Sequence, residues 1–186
     1  MKLLMLMADG FEDVEAIATL DVLRRGGIDV TLLSLMQTTN VLTKTGHAFA
    51  TDIAIKDFKM ELASSYEGLI IPGGPASFRL MPKMPVVTEF IHYFSQKGKL
   101  VATICAAPHL VGKLGYFKER NYTVHPGFED AIIGGHYVRD LGVIVSDNFI
   151  TAKSMFYSIP FALAIYAYFY GETQRNLLEK SLMGEK

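Results

Sequence analysis

The stretch LVATICAAPHLV (residues 100–111) contains the feature that decides the fold class. It begins with Leu100–Ile104, a continuous apolar run of the kind found in buried strands. Residues 106–114 follow with the pattern of a helix, and Cys105, the only cysteine of the chain, lies between the two. A buried strand that leads directly into a helix is typical of α/β proteins with a parallel sheet.

The same alternation of apolar runs and helical patterns extends over the whole chain. The predicted strands are Lys2–Met7, 29–35, Gly68–Ile71, Leu100–Ile104, Val143–Ser146 and Phe149–Ala152. The predicted helices are 12–25, 86–96, 106–114, 155–170 and 173–182. Residues 47–55 predict an edge strand or a hairpin, and Asp147-Asn148 predicts a hairpin turn. We expect one α/β domain over residues 1–186, with a mostly parallel sheet and helices on both faces.

Composition excludes several classes of function. The chain of 186 residues has 50% hydrophobic residues, 20% charged residues and a net charge of -1, which argues against a general nucleic-acid or membrane-surface binder. A single cysteine forms no internal disulfide and cannot alone build a cysteine-based zinc site. The longest apolar stretch, residues 159–170, is too short to span a bilayer. We therefore expect a cytoplasmic protein with no membrane and no specific nucleic-acid partner.

Three predicted strand ends carry residues suited to chemistry, and ligands bind at the carboxyl ends of strands in open parallel sheets. They are residues 9–15, 72–75 and 105–108. At the third, Cys105 lies close to a helix N-terminus, where backbone N–H groups lower a thiol pKa and favour a nucleophile. The alternative is a buried core thiol, because free cysteine is among the most buried residue types.

Glu15 is open to two interpretations. Glu12, Asp13 and Glu15 lie at the start of a predicted helix, where acidic side chains complement the helix dipole. That effect accounts fully for Glu12 and Asp13. Glu15, one turn further on, also has a position from which it can point across the strand ends toward Cys105. If buried there, it would have a raised pKa and donate a hydrogen bond to a thiolate.

Backbone amides and histidines complete the candidate site. In IIPGGP, the amides of Gly73 and Gly74 could form an oxyanion hole with that of Ala106, although glycines also serve simply as turns. His125, in YTVHPGF, follows a short strand-like stretch, but a single histidine is more often structural than catalytic. No HxH, HxxxH or HExxH spacing occurs, so the sequence predicts no metal site.

Five motifs in order resemble the ThiJ/PfpI superfamily, in the branch of the Parkinson-disease deglycase and its bacterial relatives. They are ADGFEDVEAIATLDVLRRGG, LIIPGGP, VATICAAPHLV, TVHPGFED and GGHY. The resemblance implies a flavodoxin-like three-layer sandwich, a homodimer and no cofactor. It assigns Cys105 as the nucleophile on an elbow, Glu15 as the glutamate touching its sulfur and His125 as the nearby histidine. Gly74 and Ala106 take the backbone oxyanion positions.

The resemblance also implies a function. The leading expectation is cofactor-free conversion of reactive dicarbonyls, or of their early glycation adducts, through attack by Cys105 and isomerisation of a hemithioacetal. The alternative is an oxidative-stress redox sensor or holdase chaperone that uses the same thiol. A third possibility is a dimeric scaffold whose site has lost activity. The expected partners are a small dicarbonyl or glycated substrate and a second copy of the chain.

Two departures from that branch concern the rim of the site. Pro75 stands where the branch tends to have a polar residue, and residues 151–156 (TAKSMF) replace an Arg-Gly-Pro-Gly segment. Lys153 is expected to preserve the positive charge but not a planar guanidinium. Ala106 replaces the histidine of the protease-like branch, and no Gly-x-Cys-x-Gly turn or His-x-Glu of the class I glutamine amidotransferases occurs, so both functions are disfavoured.

Overall fold

The first strand runs through the centre of the molecule. The computed structural model describes residues 1–185. In it β1 (Lys2–Met7) pairs in parallel with β2 (Asp29–Ser34) on one side and with β6 (Gly68–Ile71) on the other. The side chains of residues 3–7 are fully buried. A strand covered on both faces needs such a continuous apolar sequence, which is why β1 lacks the polar alternation of a half-exposed strand.

The remaining strands in chain order are β3 (Asn40–Leu42), β4 (Ala48–Ala50), β5 (Ile53–Ala54), β7 (Leu100–Ile104), β8 (Asn121–Tyr122), β9 (His136–Tyr137), β10 (Val143–Ser146) and β11 (Phe149–Ala152). The main sheet has the order β10-β11-β7-β6-β1-β2-β5. Only β10 is antiparallel to its neighbour, because it forms with β11 the hairpin predicted at Asp147-Asn148. Two small sheets, β3-β4 and β8-β9, lie beside the main one.

Helices cover both faces of the main sheet. They are α1 (Asp13–Arg25), α2 (Pro85–Gln96), α3 (Pro108–Gly112) and α4 (Ser158–Leu182). From β1 to β2 the chain moves one way across the sheet, and from β6 to β7 it moves the other way. Right-handed crossovers therefore place α1 and α2 on opposite faces. Helix α4 packs against α1, which completes the predicted three-layer α/β sandwich.

Most predicted elements agree with the structure, and the differences have local causes. Helix α3 begins only at Pro108 rather than at 106, because Cys105 has a φ of 62° and the chain needs a turn before the helix starts. The region 47–55 contains both predicted alternatives, since β4 forms a hairpin with β3 and β5 is an edge strand. Gly171, with a φ of 81°, interrupts α4 at the predicted boundary between two terminal helices. Within residues 1–185, no helix combines the length and apolar character required to cross a bilayer.

Candidate active site

Three loops meet at the carboxyl edge of the sheet, where β7, β6 and β1 lie side by side. Two backbone hydrogen bonds join the loop after β1 to the loop after β6. The N–H of Glu12 donates to the carbonyl of Gly73 at 3.2 Å, and that of Ala76 donates to the carbonyl of Gly10 at 3.1 Å. Cys105 follows β7. The structure thus brings together the three strand ends at which the sequence predicts a site.

Cys105 lies on a strained turn between β7 and α3. Its φ of 62° is uncommon for a residue other than glycine. Both backbone polar groups are held: its N–H donates to the carbonyl of Ala152, and its carbonyl accepts from the N–H of His125, each at 2.8 Å. These bonds tie the turn to β11 and to the loop after β8. The turn leaves Cys105 partly exposed, so it is not a fully buried core cysteine.

Glu15 extends from the first turn of α1 to the base of this turn. Its side chain is buried, and Oε2 accepts the Gly73 N–H at 2.8 Å. The other oxygen, Oε1, has no nitrogen or oxygen partner among residues 1–185. The carboxyl lies beside Cys105, because Oε2 of Glu15 and Cβ of Cys105 both approach the same side of Gly73. Dipole complementation does not require burial against a thiol, so the structure supports the interpretation in which Glu15 points toward Cys105.

The two glycines after β6 are required by close packing. A Cβ on Gly73 would lie 2.6 Å from Oε2 of Glu15 and 2.7 Å from Cβ of Cys105. Gly74 has a φ of 81°, and a Cβ there would lie 2.5 Å from the nitrogen of Glu12. Side chains at these positions would push the loop away from the thiol. Glycine is therefore needed for the backbone amides to reach the sulfur.

Burial sets the acidity of the pair. It raises the pKa of Glu15 to about 7, against the opposing effect of hydrogen bonds with Cys105 and Gly73. Burial, followed by repulsion from Glu15, raises the pKa of the Cys105 thiol to about 12, while the amides of Ala106 and Gly74 act in the opposite direction. The thiol pKa is therefore raised and not lowered as the sequence predicts, because the effect of burial exceeds that of the amides. Because the two groups interact directly, the pair releases one proton near neutral pH and keeps the other. It then holds one negative charge and one acidic proton.

A cleft of about 260 Å³ opens above the thiol. Its lining consists of Glu12, Lys44, Gly74, Pro75, Phe78, Cys105, Ala106, His125 and Phe128. His125, which is exposed, has its Nδ1 3.0 Å from the carbonyl of Pro126. A carbonyl only accepts, so Nδ1 carries a hydrogen and Nε2 is the remaining nitrogen available to a ligand. The predicted histidine thus shares a cleft with the predicted nucleophile.

The positive charge in the cleft comes from a residue that sequence reasoning missed. Lys44 Nζ lies 2.8 Å from Oε2 of Glu12, whose side chain is nearly buried. The expected cation, Lys153, instead donates from Nζ to the carbonyl of Arg139 at 2.6 Å and does not line the cleft. The assignment of Glu12 to the helix dipole alone was also incomplete, because its carboxylate fixes this lysine. No pattern in the sequence marks Lys44, which lies in a loop 32 residues from Glu12.

Two phenylalanines in the cleft were also not predicted. The rings of Phe78 and Phe128 have their centroids 5.3 Å apart. The only available signal was Pro75, which begins the short helical turn that carries Phe78. Within residues 1–185, no three side chains of His, Cys, Asp or Glu are grouped so as to hold a metal ion.

The amino-acid sequence of the chain is similar to those of known proteins. The profile of the DJ-1/PfpI family matches residues 1–168. The chain is 34% identical to the glutathione-independent glyoxalase DJR-1.2 of Caenorhabditis elegans over 181 residues, 97% of this chain and 94% of that protein. It is 32% identical to a deglycase of Pyrococcus abyssi over 156 residues, 82% of this chain and 90% of that protein.

The fold is shared as well. The crystal structure of Drosophila melanogaster DJ-1beta superposes with a TM-score of 0.88, covering 98% of this chain and 97% of that chain at 28% identity. Sequence and structure therefore agree over nearly the whole length. The chain belongs to the DJ-1/PfpI family.

Proposed function

We propose that the chain is a cysteine-dependent glyoxalase or deglycase that needs no cofactor and acts on reactive dicarbonyls or their early glycation adducts. The observation that carries this proposal is the buried carboxyl of Glu15 beside Cys105, which itself lines a cleft. Relatives named glyoxalase and deglycase support the same class of chemistry.

The first step is addition. The shared proton of the pair passes from the thiol to Glu15 as the sulfur of Cys105 forms a bond to the aldehyde carbon. The carbonyl electron pair moves to oxygen, which takes this proton from Glu15. While negative charge develops on this oxygen, the amides of Gly74 and Ala106 are the donors placed to stabilise it. The product is a hemithioacetal on Cys105.

The second step is isomerisation. Nε2 of His125 takes the proton from the former aldehyde carbon, and its electron pair forms the double bond of an enediolate. Glu15, ionised after the first step, takes the hydroxyl proton from the first oxygen and gives it to the second oxygen. His125 then returns its proton to the neighbouring carbon while the electron pair of the first oxygen forms the carbonyl, which gives the thioester of a 2-hydroxy acid. Water then cleaves the carbon–sulfur bond, releases the acid and regenerates the thiol. The sum is a dicarbonyl plus water giving a hydroxy acid, with no net oxidation.

Methylglyoxal in D₂O tests both the function and the route. The purified protein, with a chelator and without glutathione, is expected to give lactate that carries deuterium at C2, because the proton on a histidine nitrogen exchanges with solvent. Proton NMR of the product measures this. Lactate with hydrogen at C2 would indicate an internal hydride shift and exclude the proton transfer through His125. Absence of lactate would exclude methylglyoxal conversion altogether.

A redox role for the same thiol is the second candidate, and the contact between Glu15 and Cys105 favours it too. Oxidation by peroxide to a sulfinic acid would place an oxygen beside the carboxyl of Glu15, which can donate a short hydrogen bond to it. In this alternative the cysteine is an oxidative-stress sensor, or the switch of a holdase chaperone, rather than a nucleophile.

We also propose that the chain forms a homodimer. Helix α1 exposes Val14 and Ile17, each 42% accessible, on the surface next to the turn that holds Glu15. Sedimentation is expected to give a dimer at micromolar concentration. Ile17→Glu should shift it toward monomer, since a charge at the centre of an apolar contact is costly. Leu177→Glu, at an exposed position of α4, is the matched control. A wild-type protein that sediments only as monomer would contradict the proposal.

A further inference from the structure

One side of the cleft is aromatic. Phe78 and Phe128, which we call the aromatic wall, lie in the same cleft as the thiol of Cys105, with their ring planes at 50° and centroids 5.3 Å apart. Phe78 remains 37% exposed although it is a large apolar side chain. An exposed phenylalanine beside a partly exposed nucleophile leaves a ring face available for a ligand.

Neighbouring side chains contact both rings of the aromatic wall. The ring of His109, buried in α3, lies 5.6 Å from that of Phe128, and its Nδ1 is 2.6 Å from the carbonyl of Ala106. Burial lowers the pKa of His109, which favours the neutral imidazole in this packed position. The guanidinium of Arg79 lies over the other ring, 5.5 Å from the centroid of Phe78. These contacts restrict both rings before any ligand binds, which reduces the entropy lost on binding.

The lysine of the cleft already has an anionic partner. The ammonium of Lys44 is bound to the carboxylate of Glu12 at 2.8 Å, so an acidic substrate finds no free lysine in the lining. A substrate with a phosphate or second carboxylate would have to compete with Glu12. Neutral substrates do not meet this penalty. The cleft of about 260 Å³ is also large for methylglyoxal, whose methyl group would leave space for several water molecules at about 30 Å³ each.

We propose that the preferred substrate is a neutral 2-oxoaldehyde whose ketone carbon carries an aromatic or large apolar group, which packs on Phe78 and Phe128 while Cys105 attacks the aldehyde. Phenylglyoxal is the simplest example. The inference rests on the proposed glyoxalase function and narrows its substrate class. Packing an aromatic ring on two phenylalanines removes apolar surface from water and adds favourable ring contacts.

Steady-state kinetics with two substrates test the selectivity. For wild-type protein, kcat/KM for phenylglyoxal is expected to exceed that for methylglyoxal by about tenfold. Phe78→Leu and Phe128→Leu should each reduce that ratio at least about threefold, mainly through KM for phenylglyoxal. Tyr168→Leu, the same type of change on the surface of α4, should leave the ratio unaltered. A wild-type ratio of one or less, or ratios unaffected by both phenylalanine variants, would overturn the proposal.

Binding of the products separates this proposal from the function on which it rests. Mandelate and lactate, the acids expected from phenylglyoxal and methylglyoxal, are tested for protection of Cys105 against iodoacetamide, which requires no turnover. Mandelate should protect at about tenfold lower concentration, and Phe128→Leu should remove that advantage. If mandelate protects selectively but neither aldehyde is consumed, the aromatic site stands and the proposed function fails. If methylglyoxal is consumed and mandelate has no advantage, only the aromatic selectivity fails.

Discussion

Replacing Cys105 with alanine is expected to reduce dicarbonyl turnover at least about 10⁴-fold, because loss of the nucleophile leaves only the contribution of binding and of the amides. The chain contains no other cysteine that could substitute for it. The measurement is the rate of methylglyoxal consumption by wild-type and variant protein at equal concentration. Activity within tenfold of wild type would show that the reaction does not pass through a covalent adduct on sulfur.

A control for folding is built into this substitution. Alanine meets the same backbone constraint at a φ of 62° as cysteine does, so far-UV circular dichroism and the melting temperature should stay close to those of wild type. Removing the thiol also removes the hydrogen bond that opposes the effect of burial on the pKa of Glu15. Treatment with peroxide then examines the redox alternative: a gain of two oxygens by wild-type protein, absent from Cys105→Ala, would support it. The nine methionines require that the oxidised residue be located by peptide mass analysis.

Glu15→Leu is expected to lower the reactivity of Cys105 at neutral pH by more than about tenfold. Without the carboxyl, a thiolate at this partly buried position has no acidic partner to donate a hydrogen bond to it, and burial, the largest cause of the raised thiol pKa, keeps the thiol protonated. Glu15→Gln should retain part of the reactivity, because an amide N–H donates to sulfur as a protonated carboxyl does. The measurement is the rate of alkylation of Cys105 against pH in the three proteins.

Two results would contradict this role of Glu15. Superimposable pH profiles would show that Glu15 does not act on the thiol. Higher reactivity in Glu15→Leu than in wild type would show that the repulsion by ionised Glu15 outweighs the hydrogen bond that protonated Glu15 donates, and that the shared proton lies on sulfur. Leucine and glutamate have similar helix propensities, so α1 should tolerate either variant.

The free energy of unfolding should depend on pH through the raised pKa of Glu15. The pKa of Glu15 is raised from 4.5 to about 7 in the folded state, so the folded protein binds its proton more tightly than the unfolded chain does. This contribution to stability is complete below about pH 4.5 and is lost as the pH rises through about 7. Glu15→Gln replaces the titrating carboxyl with an amide that stays neutral. As the pH rises from about 4.5 to about 7, the free energy of unfolding of this variant should therefore increase relative to that of wild type, by up to about 3 kcal/mol.

The sequence by itself determined the elements whose signals are local. Continuous apolar runs are sufficient to locate β1 and β7, because a strand covered on both faces has few polar residues. Gly171 marks the break in α4, because it readily adopts a positive φ. The turn at Cys105 follows from the strand before it and the small residues after it. Because ligands bind at the carboxyl ends of strands in open parallel sheets, these elements also predicted which three strand ends lie together at the site.

Only the tertiary structure decided which side chains share the cleft. Lys44 reaches Glu12 across 32 residues, and Phe78 meets Phe128 because the loops after β6 and β8 converge above Cys105. Charged and aromatic residues in loops follow no hydrophobic period, so nothing local distinguishes Lys44 from Lys153. The order of the strands and the path of each loop settle those contacts. They placed the cation of the cleft on Lys44, bound Lys153 to a distant carbonyl, and buried Glu15 against the sulfur.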